Sequence, residues 1–155
     1  MAAVTYTQYL SRRGFPPLEP GGRFTRYVFL APWSAPGFHM FWRRWNPLAG
    51  FALFHLYVLL GGGRNHALAT LTVFALAGVI HDALATLLLG APVIILTAAW
   101  IFFGAASLLS RAAAPRLRFR KWPPPALILL NLSLIATGLS VGSVIQRLLL
   151  GRAAA

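Results

Sequence analysis

The chain has 155 residues, of which 58% are hydrophobic and only 10% charged. Fourteen Lys and Arg stand against two acids, Glu19 and Asp82, giving a formal net charge of +12. That balance excludes a soluble globular domain and a disordered chain and places the protein in a membrane. Because the arginines flank apolar runs, their expected partners are anionic lipid headgroups or substrate phosphates, not nucleic acid. Cysteine is absent, which removes disulfides, thiolate catalysis and thiolate metal sites, and no metal site is expected.

Residues 1–46 interleave arginine with aromatic rings and are broken by proline and glycine. Arg12 and Arg13 stand where a twin-arginine export signal would begin. The apolar segment such a signal needs is replaced by Pro16, Pro17, Glu19, Pro20, Gly21 and Gly22, so an export signal is rejected. Arginine mixed with aromatic rings is the composition of a membrane interface. Short interfacial helices are expected here, one over about 37–46. Residues 47–60 are apolar but too short to span, and predict a re-entrant or tilted helix. Pro47 suits its first turn, and Gly61, Gly62 and Gly63 end it.

Residues 67–90 form a run of 24 apolar-rich positions. As a helix it reaches about 36 Å, enough to cross a bilayer with some tilt. His81 and Asp82 fall near its middle, where a charged side chain is costly and by default functional. Asp82 is expected to pair with an arginine or a polar neighbour. Ala69, Ala75, Ala77, Gly78, Ala83 and Ala85 make the helix slim, which suits close helix contact. After the uncharged turn at Gly90, Ala91 and Pro92, a second span is predicted over 92–110. A basic loop over 111–125 follows, then a third span over 126–150. That span carries Asn131 and a small-residue face at Gly138 and Gly142, a weak helix-packing pattern.

The fold class is therefore all-α and polytopic, with three spans, one short re-entrant or tilted helix and an amphipathic N-terminus. The expected division is an interfacial region over 1–46 and a membrane helical domain over 47–155. The positive-inside rule puts the N-terminal region and the 111–121 loop in the cytoplasm of a bacterial inner-membrane protein. The Gly90 turn and the C-terminus are then outside, although Arg147 and Arg152 run against the last assignment.

Three signals stand in order along this frame. They are Phe41-Trp42-Arg43-Arg44-Trp45-Asn46, then the glycine turn with Arg64 and Asn65, then Phe74, Ala77, Gly78 and His81. Together they resemble the core of the membrane-bound O-acyltransferase superfamily. The nearest branches are the wax-synthase-like enzymes and the bacterial polysaccharide O-acetyltransferases. The resemblance covers roughly residues 38–90. It implies that His81 is catalytic, that Asn46 assists it, and that an acyl group passes from a donor such as acyl-CoA to a hydroxyl acceptor. Members of that superfamily usually have eight or more spans, so tunnel-walling helices would come from elsewhere. Leu53 and Phe54 stand where many members carry an arginine-aspartate pair, and Asp82 where relatives have Glu or Gly.

The residues support the same chemistry independently. A mid-membrane imidazole suits a general base, because desolvation disfavours its charged form. Asn46 can orient the acceptor or donate to a developing oxyanion. Arg43, Arg44 and Arg64 suit phosphates, with Trp42, Trp45 and Asp82 completing the substrate-binding set. The same arginines equally suit lipid headgroups, and the tryptophans an aromatic belt. His39, His55 and His66 read as packed or interfacial. No cofactor is expected. A competing reading is a non-catalytic subunit that packs in a larger membrane complex or a homo-oligomer. A third, a haem anchor, has only His81 inside a clear span.

Overall fold

A computed structural model describes residues 4–18 and 22–151; Glu19 and Arg152 lie outside the described residues. All regular structure among the described residues is helical. Short helices α1 (Tyr6–Arg12), α2 (Arg23–Leu30) and α3 (Phe38–Arg44) precede α4 (Pro47–Leu59). Three long helices follow: α5 (His66–Leu89), α6 (Ile95–Leu117) and α7 (Pro124–Leu150). These three are long and apolar enough to cross a membrane, and α4 is the shorter apolar helix.

Most helix ends are written locally. Asn46 and Asn65 cap α4 and α5, each side-chain oxygen accepting an amide three residues on at 3.1 Å. Gly90 closes α5 in the left-handed region at φ 66°. The start of α6 is different. Residues 90–96 hold no Ser, Thr, Asp or Asn to act as its cap. Its amides turn to the neighbouring helices instead. Val93 N–H donates to Thr86 Oγ1 on α5, and Ile94 N–H to Gln146 Oε1 on α7. Leu96 and Thr97 N–H both donate to the carboxylate of Asp82, at 2.9 and 2.6 Å.

Helix α6 is the centre of the bundle, packed against α5, α7 and α3. The backbones approach closely where glycine permits it. A Cβ on Gly78 would lie 2.6 Å from Thr97 Cα, and one on Gly142 would meet the backbone of Ile95. Gly138 faces Phe102 and Phe103 in the same way, so the small-residue face of α7 packs on α6.

Two expectations are corrected. The basic segment after Ser110 is not all loop, since α6 runs on to Leu117 and carries Arg111 and Arg116. Ala112, Ala113 and Ala114 are the strongest helix formers and extend it past Ser110, with Pro115 accommodated inside the last turn. Nor is residue 46 a packing boundary. Ala35, Phe38 and Phe41 share one buried core with Ala99, Phe103 and Ala106 of α6. Asn131 of α7, fully buried, donates to the carbonyls of Trp33 and Ala35 at 2.9 and 3.2 Å. Residues 33–45 therefore belong to the bundle. A second cluster, Tyr9, Leu10 and Phe15, ties α1 to Phe51 and Phe54 of α4 and to Phe24 and Tyr27 of α2.

Candidate functional site

A cavity of about 740 Å³ lies between α1, α3, α4, α5 and α6, and both His81 and Asn46 line it. One side of its wall is a face of α6, on which Trp100, Ser107 and Arg111 recur at helical spacing. His81 packs at a tilt against Trp100, with ring centroids 5.1 Å apart. At the other end Arg111 Nη1 donates to His66 Nε2 at 3.1 Å. His66 and His81 are fifteen residues apart on α5, so the cavity is about 22 Å long along that helix.

The proton positions follow from partners that can only give or only take. His81 Nδ1 lies 2.7 Å from the Ala77 carbonyl, which only accepts. Nδ1 therefore carries a proton, and in the neutral imidazole Nε2 is the acceptor nitrogen. The guanidinium of Arg111 only donates, so His66 Nε2 accepts and its Nδ1–H donates to Tyr57 Oη at 2.8 Å. Tyr57 O–H in turn donates a hydrogen bond to the Gly62 carbonyl at 2.6 Å, so the tyrosine ties the glycine turn to the start of α5.

The mouth is basic. Arg12, Arg13, Arg43 and Arg111 line it together with His39 and His66. Burial holds the His39 pKa below its ordinary value, and the nearby charges of Arg111 and Arg43 push the same way. Burial also depresses the Arg13 pKa; the Tyr9 ring offsets this, with the guanidinium 4.5 Å above it, and Arg43 adds to it. Positive charge is thus crowded around the opening, with Arg13 partly buried and Arg12, Arg43 and Arg111 exposed, an arrangement that favours an anion. Deeper in, the walls are aromatic: Trp42 packs on Phe74 and Trp100 with ring centroids 5.3 Å apart, and the buried Phe103 lies behind it at the same separation.

The cavity gathers His81, Asn46, Arg43, Trp42 and Trp45 from the residues singled out in the sequence, and leaves three aside. Arg44 turns away and donates to the Ala31 carbonyl at 3.1 Å, because adjacent helical residues point about 100° apart. Arg64 is exposed in the glycine turn. Asp82, 5% exposed, borders an apolar groove between α5, α6 and α7 and is engaged by two α6 amides rather than by an arginine. It does not line the cavity that holds His81 and Asn46. Asn46 stands at a left-handed apex, φ 38°, between α3 and α4. Its oxygen caps α4, which leaves its Nδ2 donors for the cavity.

Sequence reasoning missed Arg12, Arg13 and Arg111, and treated His39 and His66 as packing residues. The signal for Arg111 is the alanine run that continues α6. For Arg12 and Arg13 no local signal exists, because α1 reaches the cavity only through Tyr9 and its contacts with α4. No protein-family model, curated protein or solved structure matches this chain.

Proposed function

We propose that this protein is a membrane-embedded O-acyltransferase-like enzyme. It takes an acyl group from a donor with an anionic, phosphate-bearing head, such as acyl-CoA, to a hydroxyl acceptor. The observation that carries the reading is the shared cavity, with His81 and Asn46 on its wall and four arginines at its mouth. In this reading the head of the donor lies among Arg12, Arg13, Arg43 and Arg111, and its acyl thioester reaches inward to His81. His81 Nε2 takes the proton of the acceptor hydroxyl as the oxygen attacks the carbonyl carbon. Asn46 Nδ2 donates to the oxyanion. The C–O bond forms, the C–S bond breaks, and the imidazolium returns the proton to the departing thiolate. The Ala77 carbonyl holds Nδ1–H throughout, so that Nε2 is the nitrogen presented.

The basic mouth also gives the expected orientation. His39, the start of α5 and Arg111 meet at one end of the bundle, so the N-terminal region and the end of α6 lie on the same side. The positive-inside rule makes that side cytoplasmic.

The test is transfer of labelled acyl-CoA to a panel of alcohols and glycerolipids. His81→Ala should lower turnover by roughly 10²–10⁴-fold while the protein stays folded, and His55→Ala should have little effect. Wild-type protein inert with every acceptor, alone and with its co-purifying membrane subunits, would replace this reading with that of a packing subunit. Turnover that survives His81→Ala would refute the mechanism.

A further inference from the structure

The turn that joins α6 to α7 carries Arg116, Arg118, Arg120 and Lys121, and all of these side chains are exposed. Asp82 is the only acid among the described residues. It is engaged at the opposite end of α6, by the amides of Leu96 and Thr97, about 30 Å from the turn along that helix. At that distance it does not compensate the basic cluster. Among the described residues no protein acceptor meets any of these basic side chains, whereas Arg44 and Arg111 each have one. Like charges this close repel one another.

The turn has a fixed shape with a second cost in it. Arg118 closes α6 in the left-handed region, at φ 48° and ψ 45°. Elsewhere Gly14, Gly22, Gly37, Gly61 and Gly90 hold such positions. Asn46, the other exception among the described residues, is of a type that enters this region readily. Arginine does so at a steric cost that glycine avoids. Between the cations Phe119 turns inward, 5% exposed, and packs on Trp122 with ring centroids 5.3 Å apart. Trp122 Nε1 donates to the Leu117 carbonyl at 3.0 Å, which fastens the turn to the end of α6.

The place of the turn says what meets its charge. Both α6 and α7 are long and apolar enough to cross a membrane, so the turn between them lies at a bilayer surface. With 23 residues α6 is longer than the hydrocarbon core is thick, about 34 Å against about 30 Å, which brings Arg116 and the turn to headgroup depth. Trp122 is of a type that favours the same boundary. We propose that the α6–α7 turn is a docking site for anionic phospholipid headgroups, whose phosphates meet Arg116, Arg118, Arg120 and Lys121. The lining of the His81 cavity includes none of these residues. The site therefore stands whether or not the protein transfers acyl groups.

The experiment uses the absence of cysteine, which makes a single introduced thiol a unique label. A fluorophore on Leu117→Cys, in the whole chain in phosphatidylcholine bilayers, is quenched by nitroxide-labelled phosphatidylglycerol or phosphatidylcholine. Phosphatidylglycerol should quench at the lower mole fraction, and 0.5 M salt should reduce that preference. A label on Leu89→Cys, beside the uncharged Gly90 turn, should show no preference. Arg118→Gly should lower the preference at Leu117 by roughly 5-fold, the value of one cation at a membrane surface, and Arg118→Lys should keep it. Lys121→Gln should lower it by a similar factor. In phosphatidylcholine alone Arg118→Gly should melt at the wild-type temperature or above, because strain and repulsion are both relieved. A lower melting temperature with the lipid preference intact would make Arg118 structural and overturn the proposal. So would a preference that survives both Arg118→Gly and Lys121→Gln, or one equally strong at Leu89. Equal quenching by the two lipids at Leu117 would overturn it and leave these cations to an acidic partner protein.

Discussion

Asp82 is a structural acid that stands one residue from His81, the proposed base. Its two oxygens accept the amides of Leu96 and Thr97 at 2.9 and 2.6 Å, and α6 has no cap of its own. Asp82→Ala strips both acceptors and leaves two amides unmet in a setting where water does not replace them. Charge-assisted bonds of this kind contribute about 1.5–3 kcal/mol each, and a negative group at a helix N-terminus adds to that. Allowing for partial relaxation, the expected loss is about 3–5 kcal/mol, in line with breaking other buried charged contacts. For a chain of this size that corresponds to roughly 6–20 °C in melting temperature. Asp82→Asn keeps one acceptor but turns an NH₂ toward the second amide, and should lose about 2–3 kcal/mol. His81→Ala removes a ring that bonds a carbonyl of its own helix and packs on Trp100 but supports no backbone amide, and should melt within a few degrees of wild type. The assay is thermal unfolding in mild detergent, followed by tryptophan fluorescence. A melting temperature for Asp82→Ala within about 2 °C of wild type would refute the capping argument.

Other consequences are equally direct. Gly78→Ala puts a methyl 2.6 Å from Thr97 Cα and should destabilise the α5–α6 crossing by about 1–3 kcal/mol, read by the same melt. Asn131→Leu leaves the carbonyls of Trp33 and Ala35 without their donor, so limited proteolysis should cut near residues 31–37 faster than in wild type. The His39 pKa is lowered in the fold, so the unfolded chain takes up the proton first. Stability is then fully present above the ordinary value of 6.5 and lost as pH falls from there through the folded pKa. His39→Asn should flatten that decline in a melt series from pH 7.5 to 5. Cysteine-accessibility labelling from the cytoplasmic side should modify positions in 118–121 and spare Gly90. The reverse pattern would invert the orientation.

The helices themselves were legible in the chain. Residues 67–90 and 47–60 correspond to α5 and α4 within one residue at each end, and 126–150 to α7 within two. The reason is local. A long apolar run must satisfy its backbone within itself, and Asn46, Asn65, Gly90 and Pro124 mark the ends through contacts a few residues away. The pairing of Asn46 with His81 on one cavity was likewise expected, from a motif read in order. What only the tertiary structure decided were the contacts between elements distant in sequence. Asp82 caps a helix that begins thirteen residues later, Arg111 meets His66 across forty-five, and Asn131 holds a segment nearly a hundred residues before it. A single apolar pattern does not encode these, because helix crossings bring partners together by rotation and depth, and those depend on where glycines let two backbones approach. The bare start of α6 was the one trace of Asp82's role in the sequence. A helix without its own cap must find one elsewhere, and the only acid among the described residues stands beside it.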